Sequence, residues 1–198
     1  TNSGKASLIA LEVLDSPEER AATFSLFIIA ALGPAISFLI PLYIQIVQGL
    51  TSLETAIAVV PYSAAILVGA TFVVRLFNRL SPKKIGQYGF IIVAIGLTML
   101  AITVRNDWST FLVILSLIII GVAEGGLLTL VFNVLVSASP KELAGDVGAL
   151  RGTTNNLATG VGTALAAVLS VTLLGLFMMQ GMEEHRLISN EVIEEHLF

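Results

Sequence analysis

Charge is scarce in this sequence, and cysteine is missing altogether. Only 12% of the 198 residues are charged, against about 25% in soluble domains. Without cysteine the chain can form no disulfide bond and supplies no thiolate ligand. Most acidic residues lie near the two ends, between Glu12 and Glu19 and between Glu183 and Glu195, and no basic surface of the kind that nucleic acid requires remains. The composition therefore argues against a soluble domain and against nucleic-acid binding.

Long apolar runs are what the sequence has in abundance. Hydrophobic residues make up 56% of the chain, and its mean hydropathy is +0.93. A helix of about 20 residues crosses the roughly 30 Å hydrocarbon core of a bilayer. The predicted fold class is all-α, a polytopic membrane bundle of five transmembrane helices. We expect a cytoplasmic or interfacial lead-in at residues 1–20, a transmembrane domain at residues 21–179 and an extracytoplasmic tail at residues 180–198, with spans at about 21–48, 55–77, 84–104, 110–136 and 147–179.

Helix starts are marked by short capping motifs between the spans. A Ser or Thr followed three residues later by Glu forms a capping box, which satisfies free N–H groups at a helix start. The motif occurs at Ser16 to Glu19, at Thr51 to Glu54 and at Ser139 to Glu142. Ser81 and Pro82 form a further pair suited to the cap and the first helical position. These motifs predict where four of the helices begin.

The first span contains two prolines and ends in a polar group. Pro34 and Pro41 predict a kink or local opening, because proline removes a hydrogen bond from the helical ladder. Gln45 and Gln48 follow at the far end of the span, close to Tyr43. Two interpretations are open for these three side chains: they line an outer vestibule of a cavity, or they are the ordinary polar residues of a membrane interface.

The fourth span carries a single ionisable side chain, Glu124, near the middle of the apolar run from Phe111 to Val136. A charge at this depth costs at least about 2.5–3.5 kcal/mol on insertion scales, so such residues normally face a bundle interior or a wet cavity. The rest of its helix face is apolar, so we expect its partner to come from another helix. Glu124 is either a proton-coupling or substrate-binding residue, or a protonated or hydrogen-bonded residue that only ties helices together.

Small residues recur along one face of the fifth span. They include Gly152, Gly160 and Ala164, and such a face allows another helix to approach closely. We therefore expect these three residues to serve helix packing. Asn155 and Asn156 add amide groups beside this face. They are candidates either for hydrogen bonds across a helix contact or for lining a cavity.

Lysine and arginine set the expected orientation. The positive-inside rule assigns to the cytoplasm the side with most basic residues. That side carries eight of the ten: Lys5, Arg20, Arg75, Arg79, Lys83, Lys84, Lys141 and Arg151. An odd number of spans places the two termini on opposite faces, and the chain begins at Thr1 without a signal-peptide pattern. Both features suggest a piece of a longer protein that lacks a further helix.

Two stretches resemble the major facilitator superfamily. The run from Val74 to Lys84 resembles the loop between the second and third helices of a half-domain, which typically reads Gly-x-x-x-Asp-Arg-x-Gly followed by basic residues. Arg79, Lys83 and Lys84 match that pattern, and Asn78 stands where Asp is usual. Pro140 to Gly145, with the glycines and Asn156 that follow, is similar to the entry to the penultimate helix of drug:proton antiporters in that superfamily.

The resemblance extends over roughly residues 20 to 180 and implies a carboxy-terminal half-domain without its last helix. It implies that the first and fourth spans line a central cavity and that Asn78, Arg79, Lys83 and Lys84 form a cytoplasmic gate loop. The expected partners are membrane lipid, the missing amino-terminal half and a small-molecule substrate, with no nucleic acid. No cofactor and no metal are expected. The expected location is a bacterial plasma (inner) membrane, crossed several times.

Three functions are weighed on these residues. The first is a secondary active transporter, in particular a proton-coupled exporter of amphipathic or drug-like small molecules that works by alternating access. The second is a non-transporting membrane subunit that docks a partner through the small-residue face of the fifth span. The third, an intramembrane enzyme, requires several polar catalytic groups at one depth, and the spans contain no such set. The sequence therefore predicts a transporter rather than an enzyme.

Overall fold

The computed structural model describes residues 17–105, 109–138 and 144–195. These residues form five helices and no strand, which confirms the predicted all-α class. The capping motifs at Ser16 and at Ser139 to Glu142 involve positions outside the described residues. The helices are α1 (Pro17–Ile46), α2 (Ser52–Leu76), α3 (Pro82–Arg105), α4 (Thr110–Ala138) and α5 (Ala144–Glu195).

The turn between α1 and α2 confirms the capping box predicted there. The Thr51 backbone N–H donates to Glu54 Oε2 at 2.8 Å, and the Glu54 backbone N–H donates to Thr51 Oγ1 at 3.3 Å. Gly49 precedes it with a φ of 67°, in the left-handed region where a side chain is strained. Glycine and cap together allow the chain to reverse within a few residues.

α4 is the central helix of the bundle. It packs against α1, α2 and α3, while α5 packs mainly against α1. In its most apolar window 56% of the residues are buried, compared with 22% to 33% in the windows of α1, α2 and α3. α4 carries apolar residues on all its faces, and a helix of this kind is typically buried in the centre of a bundle. Glu124, in the buried middle part of α4, is therefore enclosed by other helices, whereas Asn133 and Ser137 near the end of α4 are exposed.

Glycines bring α2 and α4 into backbone contact. A Cβ atom at Gly69 would overlap the Val122 carbonyl oxygen, and one at Gly125 would overlap the Ile66 carbonyl oxygen. Small residues at such points allow the helices to approach closely, which favours association in lipid. The backbones of α2 and α4 are therefore in close contact at two points, with one glycine contributed by each helix.

α5 uses a different face from the predicted one to contact α1. Among the side chains of α5 that the structure describes, the buried ones are at Thr154, Ala158, Gly162 and Ala166, and a Cβ atom at Gly162 would overlap the Ala31 carbonyl oxygen. The predicted packing residues Gly152, Gly160 and Ala164 are exposed, and nothing lies within 4 Å of a Cβ built at either glycine. Small residues occur on two faces of this helix, and α1 covers only one of them. Packing of the other face against a partner helix stays a prediction.

Four helices in the described part of the chain are long and apolar enough to cross a membrane: Glu19–Ile46, Ser52–Leu76, Pro82–Arg105 and Thr110–Ser137. The fifth predicted span lies within α5, a single helix of 52 residues. At 1.5 Å per residue α5 is about 78 Å long, more than twice the thickness of the hydrocarbon core. It continues from the predicted end of the span at residue 179 to Glu195, through most of the predicted tail.

Candidate functional site

Glu124 lies at the junction of α1, α2 and α4, enclosed rather than facing the outside of the bundle. Its side chain is 4% exposed, and so is that of Tyr62 on α2. The Tyr62 hydroxyl donates a hydrogen bond to Glu124 Oε2 at 2.5 Å. The expectation that the partner of Glu124 comes from another helix is therefore confirmed.

Gly33 lies next to the Glu124 carboxyl on α1, the third helix that surrounds it. A Cβ atom built at Gly33 would lie 2.7 Å from Glu124 Oε1 and 3.6 Å from the Tyr62 hydroxyl oxygen. Any larger residue at this position would compete with the carboxyl for the same space. Because Gly33 has no side chain, α1 leaves space at this position for the Glu124 carboxyl, and this space is called the recess at Gly33 below.

Glycine on α4 also allows Tyr62 to reach the site. A Cβ atom at Gly121 would lie 2.7 Å from the Tyr62 backbone oxygen. Because Gly121 has no side chain, the α2 backbone can lie close to α4 beside Glu124. The phenol ring belongs to an apolar cluster that includes Leu117 and Ile120 of α4. The ring is thus held by packing, with its hydroxyl directed at the carboxyl.

The neighbours of Glu124 are neutral. Among the described residues, the hydrogen-bond partner that the structure gives Glu124 is the hydroxyl of Tyr62, and both side chains are buried. The described part of the chain also holds no group of three His, Cys, Asp or Glu side chains suited to a metal ion. A buried carboxyl of this kind can exchange a proton, or bind a cation that enters from outside the described helices.

Sequence reasoning found Glu124 but missed Tyr62 and Gly33. A signal for each was present, because each is next to a proline inside an apolar helix, at Pro61 and Pro34. Tyrosine is also the one large side chain with a polar tip in the middle of the second span. Its pairing with Glu124 depends on the helix register, which a single sequence does not provide.

The three candidates at the end of α1 form a separate polar cluster. Gln48 Nε2 donates to the Tyr43 hydroxyl at 3.3 Å, and Thr110 Oγ1 donates to Gln48 Oε1 at 3.0 Å. Gln45 is exposed, and its Oε1 accepts a hydrogen bond from Ser52 Oγ at 3.4 Å. These bonds connect α1 to the starts of α4 and α2. Whether the cluster also lines a vestibule stays a prediction.

The remaining candidates are exposed and lie on α5, on α3 and in the turn between α2 and α3. Asn155 and Asn156 are exposed on α5, and their predicted role in a cavity stays a prediction. Near them the Arg151 guanidinium lies 4.1 Å from the centre of the Phe132 ring, a cation–π contact between α5 and α4. The predicted gate loop is exposed at the turn between α2 and α3, with Asn78 and Arg79 in the turn and Lys83 and Lys84 in the first turn of α3.

Several apolar helices around a buried carboxyl define the class as an integral membrane protein of the helical-bundle type. The sequence profile of the Major Facilitator Superfamily matches residues 3–163 of the chain. The chain therefore belongs to that superfamily, whose members are transporters.

The relatives found by comparison are transporters by name, and two of them are named as an export protein and an efflux pump. The chain is 25% identical over 138 residues to the tetracenomycin C resistance and export protein of Streptomyces glaucescens. The matched region covers 70% of this chain and 26% of that protein. It is 26% identical over 127 residues to the multidrug efflux pump LfrA of Mycolicibacterium smegmatis, covering 64% of this chain and 25% of the relative. It is 22% identical over 175 residues to the probable actinorhodin transporter of Streptomyces coelicolor, covering 87% of this chain and 30% of the relative.

The chain thus spans between a quarter and a third of the length of these relatives. No solved structure matches it.

Proposed function

We propose that this chain is part of a proton-coupled exporter of amphipathic or drug-like small molecules in a bacterial plasma membrane. Membership of the superfamily supports transport, and the names of the relatives support export of antibiotics and drugs. The observation that carries the proton-coupled part is the buried Glu124, whose hydrogen-bond partner Tyr62 is neutral. A carboxylate permanently paired with a buried cation would stay ionised, whereas this one can change its charge.

Proton exchange at Glu124 would change the energy of the conformation that surrounds it. In the closed bundle the carboxyl is 4% exposed and hydrogen-bonded to Tyr62, and apolar surroundings and water in general suit different protonation states of a carboxyl. When water reaches the carboxyl from one side, the proton can leave and the charged form becomes acceptable. Because the two forms favour different surroundings, proton binding on one side and release on the other would drive alternating access.

The α1 helix is the element best suited to change those surroundings. Pro34 lies beside Gly33, and both Pro34 and Pro41 lie inside a helix that continues unbroken from Pro17 to Ile46. Each proline removes one backbone hydrogen bond, so α1 bends at lower cost there than elsewhere. In this proposal a second half-domain completes the transport path, as it does in transporters built from repeats.

The exposed small-residue face of α5 supports the second candidate function, a subunit that docks a partner. Gly152, Asn156, Gly160 and Ala164 are exposed and leave room for a closely packed helix. In the transporter proposal the same face would contact the other half-domain. The two candidates therefore differ in whether Glu124 is needed for ion movement.

Substitution of Glu124 by Gln tests the proposal. The complete protein is reconstituted into vesicles that contain a pH-sensitive dye, and proton movement is recorded when fluorescent organic cations are added. We expect Glu124→Gln to abolish proton movement, because the amide cannot exchange a proton. Glu54→Gln is the matched control, since Glu54 is an exposed carboxyl in a helix cap. Unchanged proton movement in Glu124→Gln, with altered assembly of the complex, would support the docking subunit instead.

A further inference from the structure

We propose that Tyr62 is the positioning residue for Glu124, and that its hydroxyl, together with the recess at Gly33, sets the pH at which Glu124 exchanges its proton. The inference rests on the proposed function for its role in transport. The geometry on which it depends is independent of that function, because it concerns the positions of three residues on three helices: Gly33 on α1, Tyr62 on α2 and Glu124 on α4. The experiment below therefore examines the carboxyl directly, without a substrate.

The position of the Tyr62 hydroxyl is fixed by its surroundings. The Tyr62 side chain is 4% exposed and belongs to an apolar cluster with members from α1, α2, α3 and α4. Its backbone oxygen lies against Gly121 of α4, three residues before Glu124. Because both the ring and the backbone are held, the hydroxyl has little freedom to turn away from the carboxyl. The 2.5 Å hydrogen bond to Glu124 Oε2 is therefore a consequence of packing.

Gly33 confines the carboxyl from the opposite side. Glu124 Oε2 accepts from Tyr62, and Oε1 lies 2.7 Å from the position that a Cβ atom at Gly33 would take. The two oxygens are thus held by different helices, one by a donor on α2 and the other by the surface of α1. Movement of α1 would change the space at Oε1 while the bond at Oε2 stays in place.

No other titratable group of the described side chains competes with Tyr62 for this carboxyl. On α4 the run from Phe111 to Val136 contains no second ionisable residue. The nearest titratable positions along α2 and α1 are Glu54, eight residues from Tyr62, and Tyr43, ten residues from Gly33, which are about 12 Å and 15 Å away along their helices. The others lie towards helix ends or on exposed surface: Glu19 and Arg20 on α1, Arg75 on α2, Lys83, Lys84, Tyr88 and Arg105 on α3, and Arg151 on α5.

The hydroxyl favours the ionised carboxyl. A hydrogen bond to a charged group is about twice as strong as one between neutral groups, so Tyr62 stabilises the carboxylate more than the carboxylic acid. Loss of this donor leaves a buried carboxylate with less stabilisation. Glu124 would then exchange its proton over a different pH range.

Infrared difference spectroscopy of the complete protein in lipid bilayers tests this inference. A pH titration follows the carbonyl band of protonated carboxyl groups, and the part that disappears in Glu124→Gln belongs to Glu124. We expect Tyr62→Phe to shift the midpoint of that band and to change its frequency, because the carboxyl loses its hydrogen-bond donor. The phenyl ring keeps the packing, so the variant removes only the hydroxyl. Tyr88→Phe is the matched control, because Tyr88 is 57% exposed on α3.

A second pair of variants tests the recess and remains informative if Tyr62→Phe fails to fold. Gly33→Ala places a methyl group 2.7 Å from Glu124 Oε1, so the carboxyl must move away from its present position. We expect its band to change frequency and its midpoint to shift. Gly148→Ala is the control, since nothing lies within 4 Å of a Cβ at Gly148. A Glu124 band with the same frequency and midpoint in Tyr62→Phe, or in Gly33→Ala, as in the unmodified protein would overturn the inference.

The two proposals fail in different ways. If Glu124→Gln leaves proton-coupled transport intact while Tyr62→Phe still shifts the Glu124 band, the proposed function is wrong and the positioning role of Tyr62 is supported. If Glu124→Gln abolishes transport while Tyr62→Phe leaves the band unchanged, the positioning role is wrong and the proposed function is supported.

Discussion

The backbone contact between α2 and α4 leads to a graded prediction for three glycine-to-alanine substitutions. At Gly125 a methyl group would overlap the Ile66 carbonyl oxygen, which belongs to a helix backbone and cannot move alone. At Gly89 a methyl group would meet the end of the Leu127 side chain at 2.6 Å, which can yield by changing its conformation. At Gly148 nothing lies within 4 Å. The three substitutions therefore differ in what must shift to make room for the methyl group: a helix backbone at Gly125, a side chain at Gly89 and nothing at Gly148.

The magnitudes follow from two opposing effects. Replacing glycine by alanine inside a helix stabilises the folded state by about 0.5–1 kcal/mol. Overpacking of a close contact costs about 1–3 kcal/mol and more when backbone must shift. We expect Gly125→Ala to lower the free energy of unfolding by about 1–3 kcal/mol. Gly89→Ala should be within about 1 kcal/mol of neutral, and Gly148→Ala neutral or stabilising by up to about 1 kcal/mol.

Unfolding of the purified protein with a denaturing detergent, followed by circular dichroism, measures the series. Gly69→Ala repeats the test from the other helix, because a methyl group there would overlap the Val122 carbonyl oxygen. If Gly125→Ala and Gly69→Ala are as stable as Gly148→Ala, then α2 and α4 are not in backbone contact, and the close approach that holds Tyr62 beside Glu124 is refuted.

Three further changes affect the ends of the helices, and the same unfolding assay measures each. Gly49→Ala should cost about 1–2 kcal/mol at a φ of 67°, and Gly49→Asn less, so equal losses would contradict a left-handed Gly49. Thr51→Ala removes the cap of α2 and should cost about 1 kcal/mol, while Thr51→Ser, which keeps the hydroxyl, should cost little. Thr110→Val removes the bond to Gln48 and should cost about 0.5–1.5 kcal/mol; an unchanged stability would mean that this bond contributes nothing.

The helices could be predicted from the sequence because their signals are local. Proline is the first residue of α1 and of α3, and the capping box at Thr51 and Glu54 forms as its residue pattern requires. Both features depend on residues within one helical turn, so no knowledge of the rest of the fold is needed. The buried position of Glu124 was equally predictable, because a lone charge in an apolar span requires enclosure.

The contacts between helices could not be predicted in the same way. Small residues occur on two faces of α5, and only the register against α1 decides that Gly162, rather than Gly160, meets the Ala31 carbonyl oxygen. The pairing of Tyr62 with Glu124 joins residues 62 positions apart. Composition and periodicity carry no information on such distances. The candidate site was therefore identified by one of its three residues, and the structure supplied the other two.

The glycine contact between α2 and α4 has a consequence for how the bundle can move. Tyr62 and Glu124 belong to two helices whose backbones touch at Gly69 and Gly125, so donor and acceptor shift as one rigid body. α1 meets that body through Gly33 and contains Pro34 and Pro41. Under the proposed function, bending of α1 would open a path for water along this helix, and the carboxyl would receive or lose its proton while its hydrogen bond to Tyr62 is kept.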